Sequence, residues 1–464
     1  MSADTNSWNP GELATGRPAY IAIADAIAHD IRSGRLAPEA RLPPQRQLAD
    51  ALGLNFSTIS RAYNEAHRRG LIEARVGQGT FVRGTSAGSR QPATGGAQAI
   101  DMSMNLPPEP DDPELRYRME LAFECIATDS ASLLRYQPFG GTALDKEAAL
   151  AWLARRGLAP STEQLLLCPG THSAIDALFS LFTVSQAPVC CDALTYAGAR
   201  AVAAARGINL KGLACDEDGM LPEAFEEACR RAKPPALYCN PTIQNPTTIT
   251  LSLARREALV DVARRHRVPI IEDDAYGMLP ENPPPAFAQI APELTYYIGG
   301  LSKTLGAGLR LAILVAPEMR SAGRIAGYLR ATSVMASPIT VAIATEWMRD
   351  GTADELVSFV RRESKARQEI AAAALAGQRY AASTEGFHLW LELPERFNRV
   401  AFASSLREAG VGVVTSDAFV VGVPAPEAVR ICLGGTATRD QIRRACAIVS
   451  GALSQPPEMF SMVV

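Results

Sequence analysis

The 464-residue sequence has no run of about 18 consecutive apolar residues, and its first ten residues hold no basic segment followed by an apolar stretch. Neither a membrane span nor a secretory leader is therefore expected, and the chain is expected to be soluble and cytoplasmic. An excess of one charge is also lacking: 46 Lys and Arg stand against 49 Asp and Glu, a net charge of -3. That balance excludes a generally basic coat, so any affinity for nucleic acid has to come from a local patch. The nine cysteines form no Cys-x-x-Cys pair, and His and Cys do not cluster at zinc spacing. Reduced thiols are expected, with no disulfide framework and no metal site. No internal repeat is found. What is present is a globular balance, 47% hydrophobic and 20% charged, in a chain too long for one ordinary domain.

Residues 12–83 read as a first module. Ile23, Ile27 and Ile31 fall at helical spacing and Gly34 supplies a stop, while Leu48, Leu52 and Leu54 contribute to a small core. Pro43 and Pro44 open a second helix that Gly53 ends, and Asn55 to Ser57 start a third. Two short strands, 71–74 and 80–82, then turn through Gly77 and Gly79 as a wing. A helix-turn-helix places the first side chains of its second helix at base edges in the major groove. Ser57, Thr58, Ser60 and Arg61 are thus candidate DNA contacts, with Arg46 early in the preceding helix and Gly77 and Gly79 allowing close approach to phosphate. Arg68, Arg69 and Arg75 are open between phosphate contact and solvated surface charge. Residues 84–99, rich in Gly, Ser, Ala, Gln and Pro, read as a flexible linker.

In order and spacing, residues 18–82 resemble the GntR family of bacterial regulators, which implies a winged helix-turn-helix that binds double-stranded DNA through these positions. Asn55 and Phe56 stand where many relatives carry Ser or Thr and Arg.

From about residue 100 to 464, strand-like runs at 165–168, 236–239, 269–272 and 296–298 alternate with helical stretches such as 251–264 and 368–376. A mostly parallel α/β sheet is expected. The part beyond about residue 327, with an alternating run at 387–393 and a strand at 429–433, is expected to form a small α+β subdomain. Within this region Asn240-Pro241, Asn245-Pro246-Thr247, Asp273-Asp274-Ala275-Tyr276, Ser302-Lys303-Thr304 and Arg310 follow in an order that resembles the fold-type I aminotransferases, which bind pyridoxal 5'-phosphate. The resemblance covers residues 101–453.

It implies that Lys303 forms the imine with the cofactor, that Asp273 faces the pyridine nitrogen, and that Tyr276 and Asn245 hydrogen-bond the 3-oxygen. Gly170, Thr171, His172, Ser302 and Arg310 would hold the phosphate, Tyr196 would stack on the ring, and Arg430 would grip an α-carboxylate. Tyr136 would reach across a homodimer to the partner's phosphate. Helix capping at Gly170 to His172, core packing for Tyr196 and an edge ion pair for Arg430 remain the alternatives. His172 replaces a frequent Gln, Thr248 a frequent Gly, and Gly300 a common Ser, so that one phosphate hydroxyl is missing.

Both resemblances in this order are those of the MocR-type regulators. The expectation is a DNA-binding transcriptional regulator that senses an amine, an amino acid or the cofactor by aldimine exchange at Lys303. The alternative is an aminotransferase with an accessory DNA-binding module, and residual transamination fits either.

Overall fold

Ile23 and Ile27 are fully buried, as their helical spacing requires, and they anchor the core of the first of two compact units, Met1–Gly95 and Gly96–Val464. The structure is a computed structural model that describes residues 8–11, 18–37, 39–75, 79–82, 99–182 and 187–454. Nearly all of the expected linker and Gly77 lie outside the described residues.

The first unit holds α1 (Ala19–Arg32), α2 (Gln45–Leu52), α3 (Phe56–Arg68) and a two-stranded wing, β1 (Ile72–Arg75) antiparallel to β2 (Gly79–Val82). Gly53 ends α2 in the left-handed conformation, φ 62°, and the Asn55 side chain accepts from the Ser57 amide at 3.0 Å to cap α3. Ile59, Ala62, Tyr63 and Ala66, spaced three and four apart, bury one face of α3 against α1 and α2. Trp8 is buried in the same core, and its indole Nε1 donates to Asp30 at 2.6 Å. The expected start at residue 12 therefore leaves out part of the core. A lone indole ahead of the first helix has no periodic context that would reveal it.

In the second unit seven strands run in the order Leu165–Cys168, Ala312–Val315, Thr295–Gly300, Ile270–Asp273, Leu237–Cys239, Val189–Asp192 and Leu210–Leu213. Ala312–Val315 is antiparallel to both its neighbours and the other pairings are parallel. Helices cover both faces, which is why the strands are nearly all apolar. A four-stranded antiparallel sheet, Tyr380–Ala382, His388–Glu392, Ala428–Cys432 and Val414–Thr415, forms the smaller layer. Leu389, Leu391, Val429 and Ile431 face its own core, so by the period of two His388, Trp390 and Arg430 point the other way.

The smaller layer does not begin near residue 327. Gly327 lies inside the helix Met319–Ser333, and Val341, Trp347, Leu356 and Val360 pack in the core of the large sheet. The 23-residue helix Thr352–Ala374 passes from that core into the smaller one, where Ala371 is buried. Ile100 and Met102 also belong to the smaller core, because Ile100–Asp101 pairs with Val411–Gly412.

Beneath the large sheet's strand ends, Arg156 and Asp274 form a fully buried ion pair at 2.8 Å, with the Tyr297 hydroxyl donating to the same carboxylate oxygen at 3.3 Å. Removing one partner of such a pair leaves an uncompensated buried charge, a cost of about 3–5 kcal/mol. Arg156→Ala is therefore expected to lower the unfolding midpoint of the second unit in a thermal or denaturant melt, with the first unit's transition unchanged.

Candidate functional site

The carboxyl ends of the large sheet's strands converge on a cavity of about 520 Å³, a size suited to a cofactor. Thr171, His172, Tyr196, Asn245, Asp273, Tyr276, Ser302, Lys303, Arg310 and Arg430 all line it. Chain direction explains the convergence, since each parallel strand delivers the residue just beyond its end to the same edge. Asp273 ends one strand, Ser302 and Lys303 follow another, and Tyr196 stands just before the helix Ala197–Ala205.

Asp273 is fully buried. Its Oδ2 accepts from the Tyr238 hydroxyl at 2.8 Å, its backbone carbonyl accepts from Asn240 Nδ2, and its Oδ1 has no partner. Burial pushes its pKa up to about 6. Lys303 Nζ donates to the Asn105 carbonyl and lies 6.0 Å from the centre of the Tyr276 ring, while Asn105 Nδ2 donates to the Tyr276 hydroxyl at 2.6 Å. Loss of water around the Lys303 amine lowers its pKa to about 8. Burial raises Tyr196 to about 12, and His172 is lowered by burial and by the nearby Arg310 and Lys303 cations. Tyr196 and His172 meet edge to face at 5.8 Å.

The helix Thr171–Phe182 points its free amides at the same space. Gly170, at φ 82°, lets Arg310 pass close by, since an added Cβ would sit 3.3 Å from Arg310 Nη2. A side chain on Gly300 would meet the Thr171 hydroxyl at 2.5 Å. The space that a side chain at position 300 would take is thus occupied by the Thr171 hydroxyl.

Arg430 donates from Nη1 to Asn245 Oδ1 at 2.9 Å and from Nη2 to the Ser103 carbonyl at 2.6 Å, and its buried Nε has no partner. Its hydrogen-bond partners are neutral, which removes the edge-ion-pair alternative among the described residues. Asn245 Oδ1 is held by Arg430 and its backbone amide donates to Asn240 Oδ1 at 2.9 Å, so its side-chain amide remains to donate. Tyr136 lies outside the cavity and is 84% exposed.

Asn105, Tyr238 and His388 were missed by sequence reasoning, and Asn240 was read only as part of the Asn240-Pro241 motif, without a role of its own. His388 Nε2 lies 3.3 Å from the Gln244 carbonyl and its ring rests on Tyr276; burial holds it neutral, with a pKa of about 3. Only Asn240 had a sequence signal, its place before Pro241. The other three become visible only when distant segments meet.

Lys303, Arg310 and Arg430 bring three cations against one lining carboxylate, Asp273. That surplus and the unpartnered Asp273 oxygen suit a ligand with a dianionic phosphate, a protonated ring nitrogen and a further carboxylate. Pyridoxal phosphate fits these residues. No group of three His, Cys, Asp or Glu that could hold a metal occurs among the described residues, and none of their helices is long and apolar enough to cross a membrane.

In the first unit Ser57, Arg46 and Arg61 are exposed while Thr58 and Ser60 are half-buried. The Arg61 guanidinium lies 4.2 Å from the centre of the Tyr20 ring. Arg68 and Arg69 pair with Glu65, Arg69 also with Asp25, and Arg75 with Glu39 and Glu73. These three arginines are tied into ion pairs in the free protein. Gly79 begins β2.

Residues 98–449 match the family model "Aminotransferase class I and II", and residues 19–82 match "Bacterial regulatory proteins, gntR family". The chain is 30% identical to the HTH-type transcriptional regulator YdeF of Bacillus subtilis over 96% of each chain. It is 28% identical to the vitamin B6 salvage pathway transcriptional repressor PtsJ of Salmonella typhimurium, over 93% of this chain and 98% of that one. Among solved structures, LysN, the α-aminoadipate aminotransferase of Thermus thermophilus, superposes with a TM-score of 0.70 at 24% identity, over 76% of this chain and 92% of that one.

Proposed function

The chain belongs to the class I and II aminotransferases over residues 98–449, behind a gntR-family domain at residues 19–82, and is a transcriptional regulator of this composite, MocR-like type whose implied cofactor is pyridoxal phosphate; from this premise we propose that it senses an amine or amino acid at Lys303 and changes its hold on an operator in response. The observation that carries the reading is the cavity in which three cations face a single, half-satisfied carboxylate.

When bound, pyridoxal phosphate supplies a carbonyl that condenses reversibly with amines. The protein's part is to bind and orient. Arg310, Thr171, Ser302 and the amides of Gly170, Thr171 and His172 would hold the phosphate, and Asp273 would accept a hydrogen bond from the ring nitrogen and keep it protonated. Asn245 Nδ2 and the Tyr276 hydroxyl would address the 3-oxygen, and Tyr196 would pack on the ring. Lys303 presents an amine whose pKa, lowered to about 8, leaves a minor neutral fraction near physiological pH, and Arg430 would receive an effector's carboxylate. An effector carboxylate at Arg430 would change the load on the Asn245 segment that Arg430 holds.

Effector screening tests this directly: purified protein should absorb visibly, and an amine or amino acid that shifts the spectrum should also alter operator affinity. A spectral shift with unchanged DNA affinity would sink the sensing role. The second reading is an aminotransferase with an accessory DNA-binding module, favoured by the conjunction of Lys303, Asp273 and Arg430 in one cavity. Steady turnover of an amino acid and a keto acid at about 1 per second or more would support it.

The regulator is further proposed to act as a homodimer, with two winged units on linkers. Tyr136 and Leu134, 84% and 78% exposed beside one another, supply apolar surface for a second copy. Tethered readers gain from effective concentration, so a fragment of residues 1–83 is expected to bind an operator at least tenfold more weakly than the full chain. Binding of both should fall steeply with salt, because phosphate contacts release counterions. Equal affinity of fragment and full chain in a gel-shift titration would remove the avidity argument.

A further inference from the structure

We propose that Asn105 is a positioning residue of the cofactor site, whose side-chain amide turns the Tyr276 hydroxyl so that the phenolic proton is offered to the 3-oxygen of bound pyridoxal phosphate. The inference rests on the cofactor reading of the cavity and is independent of the sensing role.

Tyr276 is fully buried, and Phe387 and His388 pack on its ring with centres 5.8 and 5.6 Å away. Such packing fixes the ring but leaves the hydroxyl proton free to turn about the C–O bond. A hydroxyl carries one proton and two lone pairs. Asn105 Nδ2 donates to this one at 2.6 Å, so a lone pair is taken on that side and the proton has to point elsewhere. Among the described residues it meets no acceptor, and Tyr276 lines the cavity. Burial also holds the phenol protonated well above its ordinary pKa, so the proton is there to give.

Asn105 can direct a proton because its own backbone is held. Its carbonyl accepts from Lys303 Nζ, the Ser103 carbonyl accepts from Arg430 Nη2 at 2.6 Å, and the Met102 carbonyl accepts from the Cys432 amide at 2.9 Å. Only 7% of the residue is exposed. One buried residue thus addresses both the amine that would form the imine and the hydroxyl that would meet the neighbouring oxygen of the cofactor.

In the bound cofactor the 3-oxygen shares a proton with the imine nitrogen. A second donor on that oxygen takes over part of the shared proton's role, so the imine gives up its proton at lower pH. The two protonation states absorb at different wavelengths, and a pH titration of the cofactor-loaded, full-length protein reads the midpoint directly. Asn105→Leu, of similar size and without the donor, is expected to raise the midpoint by about 0.5–1 pH unit, part of the worth of one hydrogen bond to a charged oxygen. Asn105→Ala should raise it likewise, and serves if the leucine variant fails to load. In a Tyr276→Phe background, where the hydroxyl is already gone, neither substitution should move the midpoint further.

An unmoved midpoint, with or without a lowered melting temperature, would make Asn105 a packing residue. A lowered midpoint would mean that its amide oxygen draws the phenolic proton away, and an equal rise in both backgrounds would mean that it acts without Tyr276. Each of these overturns the proposal while the cofactor reading stands. Wild-type protein that shows no visible absorbance after loading would overturn the cofactor reading and this proposal with it.

Discussion

Lys303→Ala is expected to abolish the visible absorbance of the purified protein. Lys303 is the amine that the cavity places beside Tyr276 and Asn105, and no other lysine lines it. Arg310 and Asp273 would still hold the cofactor without a covalent link, so the variant should bind it in a form that dialysis removes. The same argument fixes a pH dependence. Only the neutral amine attacks a carbonyl, and its lowered pKa, about 8, moves the neutral form to lower pH. At pH 7 roughly a tenth of the molecules carry a neutral Lys303, roughly two hundredfold more than for a lysine of ordinary pKa. Cofactor capture by stripped protein is therefore expected to accelerate roughly tenfold between pH 6 and 7 and to level off above about pH 8, where protonation no longer limits it. A rate that keeps climbing to pH 10 would show that Lys303 behaves as a solvated lysine. Persistent absorbance in Lys303→Ala would assign the covalent link to another residue.

The second large effect is expected at Arg430. Its Nε is buried without a partner and its terminal nitrogens rest on neutral acceptors, so the charge is held ready for an anion. Truncating a buried, hydrogen-bonded charge that meets a ligand carboxylate costs about 2–5 kcal/mol. Arg430→Ala should therefore weaken the spectral response to an amino acid by roughly 100-fold or more, while the response to a simple amine without a carboxylate changes little. Equal weakening of both responses would reassign Arg430 to a structural role, the tethering of Asn245 and the Ser103 carbonyl.

Local patterns made most of the elements legible. The three-residue and four-residue spacing of α1 and α3, the glycine that ends α2 and the asparagine that caps α3 are decided by neighbours a few positions away. Apolar runs likewise marked four of the seven strands of the large sheet, since both its faces are covered, while Val189–Asp192, Leu210–Leu213 and Ala312–Val315 were not read as strands. The run around His388–Glu392 was legible as a strand, but its alternation had a second meaning. Its leucines serve the small core, while His388 and Trp390 are buried on the opposite face, His388 against the Gln244 carbonyl and Tyr276 and Trp390 against Phe419. The boundary near residue 327 failed because the helix Thr352–Ala374 is amphipathic throughout, and periodicity does not say which core a given turn enters.

The sequence by itself determined the two families and the order of the candidate site residues, with Lys303 among them, because motif chemistry depends on residue type and short spacing. Tertiary structure alone decided which groups are left unsatisfied. Asp273 has a free oxygen while Tyr238, 35 residues away, holds the other, and Arg430, 185 residues away from Asn245, takes the acceptor end of its side chain. Arg69 and Arg75 are tied across the first unit because folding brings Asp25 and Glu39 to them. Hydrogen-bond capacity and exposure are shared among residues far apart in the chain, and only the folded arrangement sets what remains for a ligand.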